Sequence, residues 1–286
     1  MEPSNSAREP QDICLRTLRD TDRDRYLACL LSPAGRRGAL AALYAFNAEL
    51  ARVRDLVHEP LPGEVRMQYW RDVLEGAARG STEANPLASG LLAAIADHHL
   101  PRQVLIDMID VRIFDLYDDP METRLALEGY AGETASALIQ LASLILSPQE
   151  AGSSADAAGH AGVAQAIAGL VLLMPLHRHR GQLYLPLEIL AATGLDREAF
   201  LSGEDKGRIS TAIEAFAGLG REHLAKARGA GVIPPALFPA FLPAVLSEPV
   251  LIEAQKRGAG LFDRPIQPSQ WRRQMRMALA ALRKKI

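Results

Sequence analysis

Cysteine is nearly absent from this chain of 286 residues, which contains only Cys14 and Cys29. Two cysteines are too few for a framework of disulfides or for a zinc site built from thiolates. The count is typical of a protein that works in a reduced, intracellular compartment.

Long apolar runs are missing as well. Hydrophobic residues make up 48% of the chain, but no uninterrupted run approaches the roughly 20 residues that a membrane-spanning helix requires. The first residues, "MEPSNSAREPQD", are polar and acidic, unlike a secretory signal or an organelle transit peptide. We therefore expect a cytoplasmic protein that does not cross a membrane, with a disordered segment at residues 1–20.

The sequence also has no excess of positive charge. Lysine and arginine number 32 against 34 acidic residues, which gives a formal net charge of -2. Binding to nucleic acid depends on a strong basic surface, so this class of partner is excluded for the chain as a whole. Any binding of an anionic partner must therefore depend on a local cluster of basic residues.

Strand patterns are absent, because β-branched and aromatic residues do not gather in short alternating runs. Alanine and leucine dominate instead, with apolar residues at helical spacing. One such face is formed by Leu43, Phe46, Leu50, Val53 and Val57. With no internal repeat or clear linker, the pattern predicts one all-α domain over residues 21–286.

The predicted helices follow one another closely along the chain. They cover residues 43–57, 64–80, 84–98, 101–116, 121–146, 157–173, 187–193 and 209–228, and the tail after Pro268. We expect irregular structure at residues 147–159, which are small and polar. We also expect it at residues 231–249, where four prolines fall between Pro234 and Pro243.

Two stretches resemble the motifs of a known enzyme family. "YAFNAELARVRD", the first motif, is similar to the Tyr-Ala-Phe-Cys-Arg stretch and following aspartates of the squalene and phytoene synthases. "LVLLMPLHRHRGQLYLP", the second motif, is similar to their Asp-x-x-x-Asp stretch before Arg-Gly-Arg-x-Tyr-Leu-Pro. The resemblance implies an all-α bundle of the isoprenoid synthase type, with the two motifs facing each other across a central cavity.

The acidic residues that the synthase reaction needs are mostly replaced in this sequence. Ionising an allylic diphosphate calls for magnesium held by carboxylates. Alignment of the first motif puts Ala51 and Arg52 at the paired aspartates, and only Asp55 remains. In the second motif, Leu173 and His177 stand at the two aspartates, and no acid occurs from residue 157 to 187. The chain is therefore predicted to lack catalytic residues, a metal site and a cofactor.

One non-catalytic branch of the family shares these replacements. "AFNAELARVRDLVHE", "RMQYW", Pro175 with His177, and "LFPAFL" are similar to the mitochondrial complex I assembly factors and their bacterial relatives. This resemblance implies a role in assembling the membrane-bound NADH:quinone oxidoreductase, with one of its subunits or assembly intermediates as the partner.

The sequence leaves two alternative functions open. The chain could be an active head-to-head prenyl transferase, or a carrier that binds a lipid or an isoprenoid. For an anionic lipid or a prenyl phosphate, the candidate contacts line the expected cavity and are mostly cationic, polar or aromatic. They are Tyr44, Asn47, Arg52, Asp55, His177, Arg180 and Tyr184.

The tail "WRRQMRMALAALRKKI" combines an apolar stripe with many cations. The stripe consists of Trp271, Met275, Leu279, Leu282 and Ile286. Cationic candidates for contact with a membrane surface are Arg272, Arg273, Arg276, Lys284 and Lys285. The pattern favours either a helix lying on the inner face of the cytoplasmic membrane or a last core helix with a basic outer face.

Overall fold

The computed structural model of the protein describes residues 5–78 and 84–286, and every regular element in those residues is helical. The first nine helices are α1 Asn5–Thr21, α2 Arg23–Leu30, α3 Arg37–Ala51, α4 Val53–Leu56, α5 Pro60–Glu75, α6 Pro86–His98, α7 Arg102–Arg112, α8 Arg124–Ala131 and α9 Ala137–Leu146. The others are α10 Pro148–Ala151, α11 Ala155–His179, α12 Leu187–Ala192, α13 Arg197–Ser202, α14 Lys206–Gly229, α15 Phe238–Phe241, α16 Ser247–Arg257 and α17 Gln270–Arg283.

The chain divides into two compact units that are interleaved in sequence. Unit 1 combines the described residues up to Tyr117 with Ala137–Ala155 and Ile233–Leu242. Unit 2 consists of Asp118–Ser136, Asp156–Val232 and Pro243–Ile286. The first motif therefore belongs to unit 1 and the second motif to unit 2.

Unit 1 is built around α3, which packs against α1, α2, α6 and α9. The predicted apolar face of this helix is buried at Leu43, Phe46, Leu50 and Val53. The ring of Phe46 meets that of Trp70 edge to face, with centroids 5.2 Å apart. The spacing of apolar residues thus correctly located the part of α3 that enters the core.

Most of the segment that we expected to be disordered, residues 1–20, is helical; its first four residues lie outside the described part of the chain. Residues 5–21 form helix α1, which packs on α3 and α6. Cys14 and Leu18, four residues apart, are almost completely buried and hold this helix in place. A helix with only one short apolar face and many charges is hard to distinguish from a disordered segment in sequence alone.

Several boundaries also differ from prediction. The first-motif helix ends at Ala51, and α4 follows after Arg52. Helix α5 begins at Pro60, four residues before the predicted start, and the missing N–H of proline costs nothing in a first turn. Residues 148–154, predicted to be irregular, form α10 and a 3₁₀ turn.

Unit 2 is built around α14, which packs on α12, α16 and the turn at Gly258–Leu261. Between α8 and α9 the chain forms a π-helical turn, Gly132–Ser136. Gly162 of α11 approaches this turn so closely that a Cβ atom there would lie 2.3 Å from the Ser136 backbone nitrogen. The Ser136 hydroxyl donates a hydrogen bond of 2.7 Å to the Gly159 carbonyl.

The stretch Pro148–His179 is long and apolar enough to span a membrane by length and composition. In the structure, 56% of its most apolar 18-residue window is buried within the protein. The core helices of soluble proteins meet the same criterion, so length and composition alone do not make this stretch a membrane span.

Candidate functional site

The first motif begins with two buried side chains of α3. Tyr44 is 2% exposed, and the guanidinium carbon of Arg25 lies 5.8 Å from the centroid of its ring. Burial raises the pKa of the Tyr44 hydroxyl well above its usual value. Asn47, which replaces a cysteine of the family motif, is 5% exposed. Both residues belong to the interior of the protein.

The positions that would carry the metal-binding acids lie where α3 ends. Ala51, Arg52 and Asp55 are all exposed. The backbone N–H of Arg52 donates to the carbonyls of Ala48 and Glu49, and this closes the last turn of α3. One methyl group, one guanidinium and one carboxylate thus occupy the positions of three carboxylates, which makes this end of the helix unsuited to a divalent cation.

The second motif forms the C-terminal end of α11 and the loop after it. Leu173 and His177 lie four residues apart on one helix face, with Leu173 48% exposed and His177 half-buried. The imidazole of His177 lies 4.6 Å from the ring of Tyr184, and that ring lies 6.3 Å from the ring of Tyr130. The structure therefore brings together two of the predicted cavity residues, His177 and Tyr184.

The two arginines of the second motif have different environments. Arg178 is tied to the fold: its Nε donates to the Leu201 carbonyl at 2.8 Å, its Nη2 donates to the Ser202 carbonyl at 2.6 Å, and its guanidinium stacks 4.6 Å from the centroid of the Phe262 ring. Arg180, directly after the helix, is exposed. Of the two, Arg180 is the more exposed.

A small pocket adjoins this end of α11; it encloses about 10 Å³, roughly the space that one water molecule needs. Its walls are mostly apolar, and its polar lining comes from His177, Arg178, Gln182 and Tyr184. Because no carboxylate lines it, the pocket offers hydrogen-bond donors and aromatic faces but no ligand set for magnesium. Within residues 5–78 and 84–286, no group of three or more His, Cys, Asp and Glu side chains is arranged to hold a metal ion.

The predicted membrane-surface residues lie on α17 and just after its C-terminal end. Trp271, Arg272, Arg276, Lys284 and Lys285 are exposed, whereas Arg273 is half-buried. Helix α17 ends at Arg283, and Lys284 caps it in the left-handed conformation. Ile286 therefore does not continue the apolar stripe, contrary to the prediction from spacing.

Unit 2 contains a buried network of polar side chains that the sequence did not predict. His223 is 4% exposed; its Nδ1 hydrogen-bonds with His160 Nδ1 at 3.1 Å, and its Nε2 lies 3.2 Å from a Glu128 carboxylate oxygen. The three residues come from α14, α11 and α8, so no local spacing could have linked them. His160 also lies 3.9 Å from Asp156 in the first turn of α11.

This chain of contacts predicts a loss of stability in mild acid. Burial lowers the pKa of His223 below 6.5, and this outweighs the opposing effect of Glu128. The unfolded chain therefore binds more protons than the folded chain as the pH falls below about 6.5, and the free energy of unfolding decreases. Denaturant unfolding between pH 7.5 and 5 should show this slope, and His223→Gln should flatten it. Equal slopes in the two proteins would contradict the prediction.

Comparison with known proteins identifies the family. The family model for squalene/phytoene synthase matches residues 18–276. Over 255 residues the chain is 34% identical to "NADH dehydrogenase (ubiquinone) complex I, assembly factor 6" of Homo sapiens, covering 89% of this chain and 76% of the relative. It is 24% identical to the 15-cis-phytoene synthase of Synechocystis sp. over 220 residues, covering 72% of this chain and 64% of the relative.

The fold has a counterpart among solved structures. The squalene synthase HpnC from Alicyclobacillus acidocaldarius superposes with a TM-score of 0.73 at 17% identity, covering 88% of this chain and 95% of that protein. This similarity confirms the predicted all-α fold of the isoprenoid synthase type. Together with the match over residues 18–276, it shows that the chain belongs to the squalene/phytoene synthase family.

Proposed function

We propose that this chain is a non-catalytic factor in the assembly of respiratory complex I, the NADH:quinone oxidoreductase. The observation that carries the proposal is the 34% identity with a complex I assembly factor over 89% of the chain. Similarity to a phytoene synthase is weaker and covers less of the chain. The proposed partner is a complex I subunit or an assembly intermediate.

The altered motifs support the absence of catalysis. Four positions that hold aspartates in the resembled enzymes carry Ala51, Arg52, Leu173 and His177. A guanidinium at one of these positions repels a divalent cation, and a leucine or an alanine contributes no ligand. Since the replacements affect both motifs, the magnesium ions that would assist the departure of pyrophosphate lose ligands in each of them.

Complex I is a membrane complex, so the proposal includes a cytoplasmic location at the inner face of the cytoplasmic membrane. There the chain would act by binding its partner rather than by transforming a substrate. An active prenyl transferase and a carrier of an isoprenoid are the competing functions, and the following experiment distinguishes them from assembly.

Deleting the gene should lower the amount of assembled complex I several-fold, as measured by native gel activity staining and by NADH:quinone reductase activity of membranes. The wild-type chain should restore both, and so should Asp55→Asn. Asp55 is the acid that remains of the first motif, and a metal-dependent transferase would need it. Because Asp55 is exposed, this substitution should leave the fold intact.

Normal complex I in the deletion strain would refute the assembly function. Magnesium-dependent release of pyrophosphate from farnesyl or geranylgeranyl diphosphate by the purified protein, abolished in Asp55→Asn, would show that the chain is an enzyme. Apolar lipid retained through purification would favour the carrier.

A further inference from the structure

The apolar stripe of α17 faces outward. Trp271 is 62% exposed, Met275 54%, Leu279 41% and Leu282 82%. At about 100° per residue, these four side chains lie within roughly 80° of one another around the helix axis. Sequence spacing had left open whether this stripe enters the core, and the exposures show that it does not.

A different face of α17 attaches the helix to unit 2. Met277 and Ala280, which lie roughly 100–180° around the axis from the residues of the stripe, are buried. The Nε of Arg228 on α14 donates to the Ile286 carbonyl at 2.9 Å, just beyond the end of α17. The same guanidinium makes a two-pronged pair with Glu248 of α16, at 2.8 and 2.9 Å. With Met277 and Ala280 buried, the stripe lies on the exposed side of the helix.

Positive charge borders the stripe. Arg272, Arg276 and Arg283 are exposed and lie roughly 20–60° beyond Leu279 around the axis. Lys284 and Lys285 follow at the end of the helix and are exposed as well. Asp263 is the last acidic residue of the sequence, and seven basic residues follow it. These are Arg264, Arg272, Arg273, Arg276, Arg283, Lys284 and Lys285.

We propose that α17 is a peripheral membrane-binding helix that lays Trp271, Met275, Leu279 and Leu282 into the surface of an anionic bilayer. Its arginines and lysines would contact the lipid headgroups. This inference goes beyond the proposed function, because it assigns a lipid-binding surface whatever protein the chain assists.

Charge complementarity selects a membrane as the occupant of this surface. A row of apolar side chains with a tryptophan at one end, bordered by cations on one side, suits the boundary between acyl chains and anionic headgroups. A second copy of the chain would bring the same cations against these cations, and like charges disfavour that arrangement. The stripe is also convex, being a single exposed helix face, so it can enter a deformable lipid surface without a matching groove.

The test measures binding of the full chain to vesicles of phosphatidylcholine alone and of phosphatidylcholine with phosphatidylglycerol. The protein should float with the anionic vesicles, and high salt should release it, because exposed charges are screened. Trp271 supplies a second readout: its emission should shift to the blue on binding. The other tryptophan, Trp70, is already buried and should not respond.

Matched variants separate the contribution of the cationic side chains to vesicle binding from that of the apolar stripe. Arg272→Gln with Arg276→Gln should lower the partition coefficient for anionic vesicles about 25-fold, since each basic residue near such a surface contributes about fivefold. Arg66→Gln with Lys256→Gln removes the same charge from exposed positions elsewhere and should change binding little. Leu282→Ser should weaken binding about tenfold. Leu125→Ser, at a side chain that is 77% exposed on α8, should not.

Three results would overturn the proposal. They are absence of binding to anionic vesicles, equal loss of binding in the α17 variants and their controls, and a dimer in solution that Leu282→Ser dissociates. Since all substituted side chains are exposed, unchanged melting temperatures should verify that the variants fold. Loss of vesicle binding with normal complex I assembly would leave the assembly function intact, so failures of the two proposals are distinguishable.

Discussion

Replacement of Phe46 by alanine should lower the free energy of unfolding by about 3–5 kcal/mol, the range for truncating a large buried aromatic side chain. Phe46 has no exposed surface, and its ring packs edge to face on Trp70. The variant would leave a cavity next to α3, the helix around which unit 1 is built. Because Trp70 touches the altered side chain, its fluorescence reports unfolding of this unit directly.

The measurement is denaturant unfolding in a Trp271→Phe background, so that all emission comes from Trp70. Tyr69 provides a matched control. Its ring also meets Trp70 edge to face, with centroids 5.4 Å apart, but it is 38% exposed. Tyr69→Ala should therefore cost no more than about 1.5 kcal/mol. Similar losses of unfolding free energy in Phe46→Ala and Tyr69→Ala would show that burial of the ring does not determine its contribution to stability.

Two glycines of α11 should respond in opposite directions to the same substitution. A Cβ at Gly162 would lie 2.3 Å from the backbone nitrogen of Ser136, so Gly162→Ala requires the π-helical turn to move. Overpacking of this kind costs up to about 3 kcal/mol, which exceeds the gain of about 1 kcal/mol from a better helix former. We expect a net loss of about 2 kcal/mol.

Gly169 supplies the control on the same helix. Nothing lies within 4 Å of the position where its Cβ would be. Gly169→Ala should therefore stabilise the protein by about 0.5–1 kcal/mol. Each kcal/mol corresponds to about 2–4 °C in melting temperature for a protein of this size class, so thermal unfolding separates the two variants. A higher melting temperature in both variants would mean that the backbone at Ser136 moves away from the new methyl group without loss of stability, and would contradict the prediction.

The sequence predicted those features that depend on local periodicity. The spacing of Leu43, Phe46, Leu50 and Val53 identified the buried face of α3, and the two motifs identified the family. The sequence also predicted an amphipathic helix in the tail, but it did not predict which face of that helix is exposed. The exposed face depends on Met277 and Ala280, whose partners lie outside the helix.

Features that join distant segments were not predictable in the same way. The contact of His223 with His160 and Glu128 spans three helices. The helical N-terminus was missed because burial of Cys14 and Leu18 depends on the helices that receive them. The structural role of Arg178 was not predictable either, because its neighbours in sequence indicate a cationic cluster. In the structure, its contacts with Leu201, Ser202 and Phe262 connect α11 to other parts of unit 2.

The interleaving of the two units limits the order in which the chain can fold during synthesis. Unit 1 needs α9 and α15, and α15 supplies Phe238 and Phe241, both fully buried. A ribosome must therefore translate as far as Leu242 before all the residues of unit 1 exist, although most of that unit was translated long before. Until then α3 and its neighbours expose apolar surface, and such nascent chains depend on chaperones to avoid aggregation. Expression of residues 1–117 alone should for the same reason yield insoluble protein.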